Sequence, residues 1–112
     1  MIKKPTKIRF INPDIKEAYL KLRVGTSDEK KLYKWISNAF DDLKNNGFCG
    51  VAIPKDRIPK RYKQLFGKHS IWKYDLPSAY RLIYTIEDDE IEVYSIVLEW
   101  MTHKEYERLF KY

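Results

Sequence analysis

Three sheet-like runs crowd the last third of the chain, and the links between them are short enough to allow only antiparallel neighbours. Ile71 to Leu76, Tyr80 to Glu87 and Ile91 to Trp100 are rich in β-branched and aromatic residues. Leu76-Pro77-Ser78-Ala79 joins the first two, and Glu87-Asp88-Asp89-Glu90 joins the last two. A parallel connection needs about a dozen residues or more, so both links read as tight reversals. The last run carries Ile91, Val93 and Val97 on one face and Tyr94, Ile96 and Leu98 on the other. Apolar residues on both faces mark a central strand covered from both sides.

Upstream, Lys7-Ile8-Arg9-Phe10-Ile11 alternates basic with apolar residues as a strand does, and Asn12-Pro13 supplies an N-cap and a first helical residue. Ile15, Ala18, Tyr19 and Leu22 share one face of the helix that follows, with Gly25 as its stop after Val24. Thr26-Ser27-Asp28-Glu29 has capping-box spacing for a second helix. Its stripe of Leu32, Tyr33, Ile36, Ala39, Phe40 and Leu43 runs to Asn45-Asn46-Gly47. From Val51 to Lys68 the pattern weakens to a basic loop punctuated by Pro54 and Pro59, with one or two helical turns between Ile58 and Gly67 closed by the glycine. Thr102 caps a last helix with Glu105 at its third position, and Met101 is placed to staple onto Tyr106. The predicted order β-α-α-β-β-β-α makes residues 1–112 one α+β domain: an antiparallel-rich sheet with an N-terminal helical hairpin and a short C-terminal helix.

A chain of 112 residues builds a single small domain, and three Trp, nine Tyr and five Phe give it enough apolar area to offset chain entropy. Twenty-two Lys and Arg against sixteen Asp and Glu leave a net charge of +6, which favours a polyanion or an acidic protein as partner. One cysteine, Cys49, excludes an internal disulfide and offers no metal-ligand spacing, so neither a metal nor another cofactor is expected. The opening Met1-Ile2-Lys3-Lys4-Pro5 holds no apolar signal segment and no run is long enough to span a bilayer; the expected location is cytoplasmic, away from membranes.

Between Lys55 and Lys73 the chain holds Lys55, Arg57, Lys60, Arg61, Lys63, Lys68 and Lys73 against one acid, Asp56, with Tyr62, Phe66 and Trp72 interleaved. This composition suits single-stranded RNA, whose phosphates take the cations and whose bases stack on rings; solvated lysines over core aromatics would look the same. Arg81 lies in a strand among apolar neighbours. It either pairs with a carboxylate such as Glu99 or Asp75 or holds its guanidinium for a phosphate. His103, in the first turn of the last helix, can take a proton, and Tyr106 follows three residues on. The alternative is that His103 assists the helix start while Tyr106 and Phe110 pack on the sheet. His69 is a weaker catalytic candidate.

Trp72-Lys73-Tyr74-Asp75-Leu76, Tyr80-Arg81-Leu82-Ile83-Tyr84 and the stretch from Glu99 to Phe110 carry a resemblance. With its Tyr-Arg-x-x-Tyr strand and terminal His-x-x-Tyr helix, the chain resembles RelE-like toxins of the RelE/ParE toxin-antitoxin superfamily. The resemblance implies a metal-independent endoribonuclease that cuts messenger RNA on the ribosome, inhibits translation and is silenced by a cognate acidic antitoxin. By position Arg81 would steady the phosphoryl charge, His103 would be acid or base, Tyr106 would orient or donate, and Glu99 would be base or orient the imidazole. ParE-like relatives keep the fold but target DNA gyrase, so a non-catalytic binding protein is the alternative.

Overall fold

Three of the described α-helices begin where a side chain satisfies amides that a helix start leaves open. The computed structural model describes residues 4–67, 69–88 and 92–111. After strand β1 (Lys7–Phe10), the Asn12 side chain accepts a hydrogen bond from Ile15 N–H, and helix α1 (Pro13–Leu22) starts on its proline. The expected end after Val24 comes two residues sooner, because Arg23, Val24 and Gly25 bond three residues back and tighten the chain into a turn. Both halves of the Thr26–Glu29 capping box form at the start of α2 (Ser27–Asn45). The same device, Thr102 with Glu105, opens the terminal helix α4 (His103–Leu109).

The expected basic loop holds more structure than its sequence suggests. A two-residue strand β2 (Val51–Ala52) pairs with the next strand and a 3-10 turn spans Lys55–Arg57, while the expected helical turns are the seven-residue helix α3 (Lys60–Phe66). Two residues are too few to show alternation, and α3 is set by packing rather than by periodicity. Gly67 closes it at φ 57, a left-handed conformation that glycine adopts without steric cost.

Strands β3 (Ile71–Leu76), β4 (Tyr80–Asp88) and β5 (Val93–Thr102) form antiparallel neighbours as expected. Ile91, predicted to open the last strand, lies outside the described residues. The five strands run in the order β1-β5-β4-β3-β2, with β1 parallel to β5 and the other pairings antiparallel. β5 therefore sits inside the sheet, as its two apolar faces require.

Two cores lie on opposite faces of this sheet. Leu82, Tyr84 and Val97 meet Tyr19, Ile36, Phe40 and Leu43 of the α1–α2 hairpin. On the other face Ile83, Ile96, Leu98 and Met101 pack against Tyr62 of α3, Tyr106 of α4 and Phe110 at its C-terminal cap. Met101 and Tyr106 share this second core, in keeping with the predicted staple. The register slips once: Tyr84 faces Val97 but Ile83 faces Glu99, so Leu98 is the extra residue of a bulge. Because of the bulge, Glu99 reaches the α3–α4 side together with Leu98.

Candidate active site

Alternation along β4 puts Arg81 on the α3–α4 face, one step from Ile83, with Asp75 opposite it on β3 and Met101 opposite it on β5. Arg81 is 15% exposed and cannot be left without partners there. Its Nε stands 3.0 Å from Asp75 Oδ1, close enough for an ion pair but not aligned as a hydrogen bond. Nη1 donates to the Tyr80 carbonyl at 3.0 Å, and Nη2 lies 2.9 Å from His103 Nδ1. Lys73 shares the same carboxylate oxygen, its Nζ 2.8 Å from Asp75 Oδ1.

His103 comes to Arg81 because Thr102 starts α4 where β5 ends, so the first turn of the helix stands over the end of β4. A guanidinium can only donate, so His103 Nδ1 is the acceptor of this pair, and the proton of the neutral ring sits on Nε2. Nε2 stands 2.9 Å from Glu107 Oε1, one helical turn on. Lys73, Asp75, Arg81, His103 and Glu107 thus form one polar ribbon across two strands and a helix. The ribbon is open to solvent at Asp75, 56% exposed, and at His103 and Glu107, each 44% exposed.

Glu107 was not foreseen as the group that orients the imidazole, although its four-residue spacing from His103 on a helix was a readable signal. Glu99, expected in that role, is elsewhere: it pairs with Arg61 Nη2 at 3.2 Å. With Arg61, Glu105 and Arg108 it lines a cleft of about 390 Å³ on the opposite flank of α4. Burial pushes its carboxyl above the usual range; Arg61 pulls it down and Glu105 pushes it further up. Of the two carboxylates that the sequence offered to Arg81, the structure pairs Asp75.

Tyr106 points under α4 and not into the ribbon. It is 3% exposed, its ring centre lies 4.9 Å from that of Phe110, and its hydroxyl is buried. The Lys73 ammonium stands 5.6 Å from the ring centre, a cation–π contact between the core and the ribbon.

The basic segment divides in the same way. Lys55, Lys60, Arg61 and Lys63 are exposed, while Arg57 is half-buried and donates to the Lys111 carbonyl. Lys73 belongs to the ribbon, and Lys68 lies outside the described residues. The rings expected to stack on bases are mostly committed to packing. Tyr62 is in the α3–α4 core with Phe66 against it, and Trp72 faces the α1–α2 hairpin. His69 is exposed near Lys55 and Lys63, away from the ribbon. Among the described residues no three His, Cys, Asp or Glu side chains gather as metal ligands, and no helix is long and apolar enough to cross a membrane. Comparison of the chain with protein-family models, curated proteins and solved structures gives no match in any of the three.

Proposed function

We propose that this chain is a RelE-like toxin, a metal-independent endoribonuclease that cuts messenger RNA on the ribosome and is held silent by an acidic antitoxin. The observation that carries this reading is the 2.9 Å contact between Arg81 Nη2 and His103 Nδ1 in a part-buried polar ribbon. A phosphodiester entering there draws Nη2 onto a non-bridging oxygen and releases the Nδ1 lone pair beside it. Nδ1 then takes the proton of the RNA 2′-hydroxyl as that oxygen attacks phosphorus. Glu107 holds Nε2–H and stabilises the imidazolium, while Arg81 faces the charge growing on phosphorus. The 2′-oxygen bond to phosphorus forms, the bond to the 5′ oxygen breaks, and the departing oxygen takes a proton from water or from Lys73, the next donor along the ribbon. Tyr106 serves by fixing α4 to the sheet.

The Asp75–Arg81 ion pair favours a second reading, in which the ribbon is structural and the chain is a non-catalytic binding protein. Incubating the full chain with messenger RNA, with and without ribosomes, decides between them. The ribonuclease reading expects 2′,3′-cyclic phosphate ends, cleavage that persists in EDTA where the ribosome stays intact, and loss of cleavage in folded Arg81→Ala. RNA bound but never cut by the wild-type chain selects the binding reading.

A further inference from the structure

We propose that the cleft between α3 and α4 is a base subsite for an unpaired guanine; only the origin of that base, the RNA strand cut at Arg81 and His103, rests on the ribonuclease reading. At about 390 Å³ the cleft has the size of a small-ligand site and would hold a single nucleobase. Arg61 and Arg108 balance Glu99 and Glu105, so the cleft offers a phosphate no net attraction and suits a neutral ligand with both donors and acceptors. Glu105 is held at the helix cap, its Oε1 accepting from the Thr102 N–H and hydroxyl, while Glu99 stands at the cleft wall beside Arg61.

Glu99 is 31% exposed and 3.2 Å from Arg61, so a pair of acceptor oxygens and a planar fork of donors stand side by side. Guanine complements both at once: N1–H and the N2 amino group meet the two carboxylate oxygens, and O6 and N7 accept from a guanidinium. Adenine, cytosine and uracil each lack the adjacent ring and amino donors. Burial disfavours the charge on Glu99, and two incoming N–H groups would compensate it. Met101 and Leu109 supply apolar lining for a base taken out of its stack, beside the Trp100 backbone. Trp100 and Met101 directly precede Thr102 and His103. A strand wrapped over the first turn of α4 would therefore bring a neighbouring base to the cleft while its phosphate lies at the ribbon.

The test titrates the full chain and Glu99→Gln with the four ribonucleoside 5′-monophosphates, followed by backbone amide chemical shifts, and runs RNA cleavage beside it. Guanosine monophosphate is expected to shift Glu99, Trp100, Met101 and Arg108 at a concentration about tenfold or more below the other three, and Glu99→Gln to remove that preference with its fold intact. Equal affinity for all four nucleotides, or guanosine shifts retained in Glu99→Gln, overturns the subsite. RNA cleavage with no guanine preference beside the cut also overturns it, with the ribonuclease reading left standing. Guanosine bound in the cleft of a chain that never cuts RNA supports the subsite and overturns only the ribonuclease reading.

Discussion

At the scale of single residues, His103 has each ring nitrogen assigned to a different partner. Arg81 occupies Nδ1 and Glu107 occupies Nε2, so the ring is held in one tautomer before any substrate arrives. On the ribonuclease reading proposed above, replacing His103 by alanine should lower kcat for RNA cleavage by about 10²–10⁴-fold with little change in RNA affinity. Glu107→Gln should lower kcat less than His103→Ala and leave KM unchanged, because it orients the ring without touching RNA. Single-turnover cleavage set against binding checks both, and wild-type rates in His103→Ala would remove it from the mechanism. Tyr106 is expected to behave differently. Tyr106→Phe keeps the ring that packs on Phe110 and should leave the unfolding free energy in urea within about 1.5 kcal/mol of the wild type. Its cleavage rate per folded molecule should stay near that of the wild type. A large loss of rate at unchanged stability would bring the hydroxyl back into the chemistry.

At the scale of elements, α4 has only seven residues and would not persist alone. Tyr106 and Phe110 anchor its underside, and the Thr102–Glu105 capping box satisfies its first amides. Thr102→Ala should cost about 0.5–2 kcal/mol of unfolding free energy. It should also slow cleavage, because the first turn carries His103. The cap hydrogen bonds from Thr102 hold the Glu105 carboxyl below its usual range. A lowered folded-state value means a contribution fully present above the unfolded carboxylate value, near pH 4.3, and lost as pH falls through the folded one. Glu99, raised by burial, acts in the opposite sense: the cost of its buried charge is relieved as the carboxyl takes up a proton on acidification. Glu105→Gln should therefore flatten part of the acid-side decline of stability measured by thermal unfolding against pH. An unaltered profile would show that the cap bonds do not distinguish the folded from the unfolded carboxylate.

For the whole molecule, the net charge of +6 acts beyond any one side chain. The exposed lysines of α3, Lys60 and Lys63, lie on the same helix as Arg61, which walls the cleft beside α4. Reversing both, Lys60→Glu with Lys63→Glu, should weaken RNA binding across sequences and reduce the slope of log affinity against log salt by about 0.7 for each phosphate no longer neutralised. The double variant should fold normally, since neither side chain belongs to a core. An unchanged salt slope would make this face a solvated one only.

Local chemistry was legible in the sequence wherever it acts over a few residues. The Asn12, Thr26 and Thr102 caps, the stripe of α2 and the strands from Ile71 onward follow from spacing alone, because capping and periodicity depend on neighbours along the chain. β2 did not show, since a two-residue strand has no alternation; the one or two helical turns ahead of Gly67 did, and α3 fills them through what it packs against. The site divided along the same line. Arg81 and His103 could be named as candidates, and Asp75 as one of two possible partners for Arg81. Which carboxylate pairs with Arg81 depends on the β3–β4 register, and the place of Glu99 depends on a bulge that leaves no mark in residue type. Tyr106 turned inward and Glu107 stayed open to solvent because α4 is rotated to bury its apolar stripe. Residue identity determines which groups carry charge or protons. Strand register, the bulge and the rotation of α4 determine which groups meet, because they are settled by the burial of two cores that hold residues far apart in the chain.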